Sequence, residues 1–131
     1  MAPFDEAEAV QYVLSILPEV HELEILEQET YRFVFQSDEA AGQLPVNMMV
    51  SGSLVGPALT VLAQVDGDAL GAAIGATAQY PAVGLGLVGD STYFLKFTLF
   101  KSSGDTPTLS LAIRVVGFAH NHYQGLLGGG S

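Results

Sequence analysis

Apolar residues recur at Val10, Val13, Leu14 and Leu17, the spacing of one helical face, and predict a first helix over 5–17. Asp5 can cap it, with Glu8 three residues on as in a capping box, and Pro18 ends it. The period then drops to two. Glu22–Gln36 sets Tyr31, Phe33 and Phe35 against Arg32, Val34 and Gln36 and predicts a strand. Asp38–Gln43 is a polar turn, followed by strands at Pro45–Ser51 and Ala58–Val65. The second of these alternates Leu59, Val61, Ala63 and Val65 against Thr60, Leu62 and Gln64. Asp66-Gly67-Asp68 turns the chain into a short helix of small residues over 69–78, closed by Pro81.

Ala82–Val88 reads as a glycine-rich strand, and Thr92–Lys101 carries the strongest strand signal in the chain. Its faces are Tyr93/Leu95/Phe97/Leu99 and Phe94/Lys96/Thr98/Phe100, both largely apolar, so both are expected to be covered. Thr106 followed by Pro107 opens the last helix, with Leu109, Ile113, Val116, Tyr123 and Leu126 on one side. Gly117 and Gly125 weaken that helix. The order α-β-β-β-α-β-β-α, with helices flanking hairpin-connected strands, predicts an α+β class and a mostly antiparallel sheet. The expected domain is 1–127, with 128–131 as a flexible glycine tail.

Composition adds a surplus. Of 131 residues, 49% are hydrophobic and 14% charged, more apolar material than one interior needs. The surplus is expected at the surface, where another protein would cover it. The net charge of −10 argues against nucleic acid, because phosphate binding needs clustered bases and Arg32, Lys96, Lys101 and Arg114 are scattered. Ten of the acids fall within residues 1–39, which suits a solvated face that keeps a greasy domain dispersed, or one that steers a basic partner. The uncharged stretches Ala40–Val65 and Ala69–Gly89 are interrupted by prolines, glycines and polar residues, so no membrane span is expected. The absence of cysteine and of a basic, then apolar, leader suits a cytoplasmic location.

Catalytic chemistry finds little support. His120 and His122 point to opposite sides of a helix and cannot share a metal; a pair at the helix surface is expected. Gly84-x-Gly86-x-x-Gly89 has the spacing of a dinucleotide fingerprint, but a strand follows it where a helix is required. Ser51, Ser53 and Ser110 lack a patterned base and acid. No cofactor, metal or catalytic residue is expected, and the chain is read as a non-enzyme.

The helix at Asp5–Leu17, the strands around Tyr31–Gln36 and Ala58–Val65, the Ala69–Ala78 helix, the Tyr93–Lys101 strand and the Thr106–Leu127 helix together resemble an architecture. It is that of the type III secretion chaperones and their non-secretion relatives, the YbjN-like proteins. The resemblance covers about residues 5–127 and brings no catalytic signature. It implies a homodimer, paired through the second helix and a neighbouring strand, that binds other proteins. The low charge after residue 40 and the glycine-rich 82–89 segment depart from secretion chaperones and favour a YbjN-like adaptor or regulator.

The dimer interface is expected at Leu70, Ala73, Ile74, Gly75 and Thr77, where small side chains let two backbones approach. Client segments are expected on Phe94, Thr98, Phe100, Leu62, Met49 and Val34. The alternatives are a structural or assembly subunit of a larger complex, and a small-ligand sensor.

Overall fold

The computed structural model describes residues 7–27, 29–36, 45–55, 58–88, 92–100 and 106–129. These form helices α1 (Ala7–Ile16), α2 (Leu70–Gln79) and α3 (Thr106–Gly129). The strands are β1 (Val20–Leu26), β2 (Thr30–Phe35), β3 (Val46–Val55), β4 (Ala58–Val65), β5 (Gly84–Val88) and β6 (Thr92–Phe100). All strand pairs are antiparallel, in the order β1-β2-β3-β4-β6-β5. The fold is therefore α+β with an antiparallel sheet and packed helices, as the hydrophobic pattern predicts.

The single strand expected over 22–36 is a hairpin. The chain turns between Leu26 and Thr30, and Glu29 takes a left-handed conformation at φ 53°. A three-residue hairpin loop needs such a residue, commonly glycine, at that position. Glu22 is also left-handed, at φ 54°, where the β1 register shifts between His21 and Glu24. The capping box at Asp5 and Glu8 lies outside the residues and side chains described, as does the 38–43 turn. Asp66 does cap the turn leading to α2, its carboxylate accepting from the Asp68 amide at 2.9 Å. α3 runs to Gly129 and so takes in two residues expected in the tail; 130 and 131 lie outside the described residues.

Alternation decides what is buried. Tyr31, Phe33 and Phe35 of β2 register with Val50, Met48 and Val46 of β3. Beyond them, Val61 and Ala63 of β4 register with Phe97 and Leu95 of β6. This face meets Val10, Val13 and Leu14 of α1, Ala73 and Ala76 of α2, and Leu109, Ile113, Val116 and Tyr123 of α3 in one core. Among the described residues the helices lie on that side. Glu19, just before β1, receives Arg114 of α3 through two hydrogen bonds, at 2.6 and 3.2 Å, and ties the α1–β1 connection to α3.

Candidate functional site

Because side chains alternate across a strand, the sheet has a second face, and among the described residues no helix covers it. Register builds it row by row. One row crosses all six strands: Glu24, Arg32, Met49, Leu62, Lys96 and Gly84. Beside it, Thr30, Ser51, Thr60 and Thr98 form a row of hydroxyls over β2, β3, β4 and β6. On the other side His21, Val34 and Asn47 are neighbours across β1 to β3, and Gln64, Phe94 and Gly86 across β4 to β5. Phe100, opposite Ala58, stands at one end with 63% of its surface exposed.

All six residues expected to meet a client are on this face. Val34, Met49 and Phe94 are half-buried and Thr98 and Phe100 exposed. Two expectations need correction. Leu62 is 2% exposed, on a central strand between Met49 and Lys96, so it supports the surface and offers no contact of its own. The second face of β6 is covered only in part: Phe94 is half-buried, while Lys96, Thr98 and Phe100 are exposed.

Three basic residues fall within the described chain, and their surroundings differ. Arg114 is held by Glu19, and Arg32 by Glu24 at 2.5 Å. Lys96 has no acidic partner among the described residues. Its stem lies flat over Gly86, where an added Cβ would meet Lys96 Cδ and Cε at 2.8 Å. An exposed cation therefore sits on the helix-free face beside Phe94, the cross-strand neighbour of Gly86.

The expected dimer surface is placed differently. Ala73 of α2 is fully buried in its own chain, and a Cβ on Gly75 would meet Leu126 Cδ1 of α3 at 2.9 Å. Both residues pack at the α2–α3 crossing; Ala73 has no surface left for a partner, while Gly75 is half-buried. Leu70 and Thr77 are half-buried, and Ile74 is 57% exposed. Nearby β5, an edge strand that also contacts α2, exposes Leu87 at 52%. Leu87 lies outside the residues expected at the interface; its signal in the sequence is the uncharged stretch around it.

The histidines diverge. His122 packs edge-on to Tyr80, ring centres 6.2 Å apart. His120 is 8% exposed, which corrects the expected surface pair. Its Nε2 lies 2.7 Å from the Gln64 carbonyl, so this nitrogen carries the proton and donates. Nδ1 is buried with no hydrogen-bond partner. Burial pushes the imidazole pKa down, against the opposing pull of the Gln64 carbonyl and the Gln124 side chain. The ring stacks edge-on against Tyr123, whose hydroxyl accepts from the Asp66 amide at 2.8 Å. His120, Gln64, Gln124 and Asp66 border an open cleft of about 450 Å³ at the end of β4, lined also by Asn47 and Thr92. No three His, Cys, Asp or Glu side chains among the described residues converge as metal ligands. None of the described helices is long and apolar enough to cross a membrane.

No family model and no curated protein matches the chain. Two solved structures do. One is an uncharacterized protein from Methanothermobacter thermautotrophicus, 10% identical, TM-score 0.52, covering 91% of this chain and 94% of that one. The other is a chain in the HopA1–SchA chaperone–effector complex, 14% identical, TM-score 0.50, covering 87% of each. At such identities the likeness is one of fold: this chain shares an α+β fold with both over most of its length.

Proposed function

We propose that the protein is a non-enzymatic, dimeric adaptor of chaperone-like type, which holds client protein segments on the helix-free face of its sheet. The observation that carries this reading is the register that gathers Val34, Met49, Phe94, Thr98 and Phe100 on the face of the sheet that no described helix covers. An aromatic residue as exposed as Phe100, on the same face as the half-buried Phe94, Met49 and Val34, suits a protein contact. The fold shared with a chain of a chaperone–effector complex supports the same role.

Dimerisation is supported by the contrast between the two sheet edges. β1 is guarded by a bulge and by Glu22 and Glu24. β5, Gly-Leu-Gly-Leu-Val, carries neither charge nor proline, and an edge of that kind is prone to pair with another strand. Leu87 within it and Ile74 of α2, the helix that contacts β5, are both exposed. The pairing surface of this proposal is therefore the outer side of α2, Leu70, Ile74 and Thr77, together with β5.

Panning a random 12-residue peptide library against the protein tests the client face. Recovered peptides should lose about 1–4 kcal/mol of binding to the Phe100→Ala variant. Peptides that bind both forms equally would place the client site elsewhere. Light scattering tests the dimer: Ile74→Arg or Leu87→Arg should convert a dimer mass to a monomer mass. A monomer before substitution refutes that part.

A further inference from the structure

We infer that the client segments are acidic as well as apolar, with a carboxylate of the client seated on Lys96. This rests on the reading of the helix-free face as the client surface. The charges on that face point to the inference. Of the three described bases, Arg114 is engaged by Glu19 away from the face and Arg32 is neutralised by Glu24 at one end of the six-strand row. Lys96, near the other end of that row, is exposed and has no acidic partner among the described residues. Among the described bases of this acidic protein, Lys96 is thus the cation left uncompensated on the helix-free face, beside Phe94.

The local backbone fixes where that cation sits. Gly86 has no side chain, and the stem of Lys96 fills its place, with Nζ 3.2 Å from where a Cβ would be. The stem buries its methylenes along the strand while the ammonium stays in water. Gly86 registers with Phe94, so ammonium and aromatic ring are neighbours on the surface. A client that lays an apolar side chain against Phe94 can bring a neighbouring polar side chain to Lys96, two residues along the same strand. A carboxylate is the group that gains there, and a second cation is repelled. The net charge of −10 opposes this at long range. At about 0.15 M salt, where the screening length is about 8 Å, the contact decides over the distant acids.

The test uses three fluorescein-labelled nine-residue peptides in which valine and leucine alternate with Glu, Gln or Lys. Binding is read by anisotropy at 150 mM salt. On the unsubstituted protein the Glu peptide should bind about two- to fivefold tighter than the Gln peptide, and the Lys peptide weaker than both. In Lys96→Met, checked by circular dichroism to be folded, the Glu advantage should vanish and the Gln peptide should bind within twofold of before. Lys96→Glu should reverse the order of the Glu and Lys peptides. Gly86→Ala, which displaces the stem, should also diminish the Glu advantage. A Glu advantage that survives in Lys96→Met overturns the inference. So does equal binding of the three peptides; if that binding still weakens in Phe100→Ala, the client face stands without the charge preference. If no peptide binds, the inference and the client-face reading fall together.

Discussion

Phe35 of β2 rests directly on the backbone of α3 at Gly117, where an added Cβ would come within 2.5 Å of ring atoms Cδ1 and Cε1. Phe118 then packs edge-on against the same ring, centroids 5.6 Å apart. The glycine that weakens the helix is what lets helix and sheet close. Gly117→Ala should gain about 1 kcal/mol of helix propensity and lose more to overpacking, since Phe35 is fully buried and has no room to move. We expect a net loss of about 1–2 kcal/mol by urea denaturation. A stabilised variant would show that Phe35 can repack.

His120 links α3 to the end of β4 in its neutral form, and burial holds its pKa below the ordinary value. The unfolded chain therefore takes up a proton at higher pH than the folded one. The stability this provides is present above the ordinary histidine pKa, about 6.5. It falls as pH drops from there through the lower folded value. The denaturation midpoint should decline from pH 7 to 5, and His120→Gln should flatten that decline while costing about 1 kcal/mol at pH 7. An unchanged slope in the variant would assign the pH dependence to other groups.

Glu19 is held below the usual carboxylate range, first by its hydrogen bonds from Arg114. Its contribution is present above the unfolded carboxylate pKa and is lost as pH falls through the lower folded one. A double-mutant cycle with Glu19→Gln and Arg114→Met should return a coupling of about 1–2 kcal/mol at pH 7. The coupling should shrink below about pH 4. A coupling near zero at pH 7 would mean the pair only marks where α3 meets the α1–β1 connection.

Glu22 occupies the left-handed region at the β1 bulge with an exposed side chain. A non-glycine residue costs about 1–2 kcal/mol there, part of which glycine returns through its freer unfolded chain. Glu22→Gly should raise stability by about 0.5–1 kcal/mol in thermal unfolding. A loss would show that the side chain contributes more than its backbone strain removes.

Much of this fold is legible as period. The alternations at Tyr31–Phe35, Leu59–Val65 and Tyr93–Leu99 assign the core face of the sheet, and the same parity assigns the opposite face. The β1–β2 turn is not legible, because Glu27-Gln28-Glu29 carries no glycine, asparagine or proline and Glu29 bears the strained φ itself. The burial of His120 had a signal: it falls in the stripe of Ile113, Val116 and Tyr123, three and four residues apart. The small-residue helix was ambiguous in principle. Ala73 and Gly75 suit close approach to any helix, and α3 of the same chain takes the position expected for a second copy. Lys96 could be placed on a face from sequence, but its lack of an acidic partner emerges only once Glu24 and Glu19 are seen to engage the other two described bases.

Site-specific photo-crosslinking tests the client face most directly. A benzoylphenylalanine at position 100 is compared with one at position 111, where Leu111 of α3 is 59% exposed and Phe100 63%, so accessibility is matched. In living cells of the source organism, position 100 should yield discrete protein adducts that position 111 does not. Adducts shared by both positions, or adducts from position 111 alone, would contradict the helix-free face as the surface that receives clients.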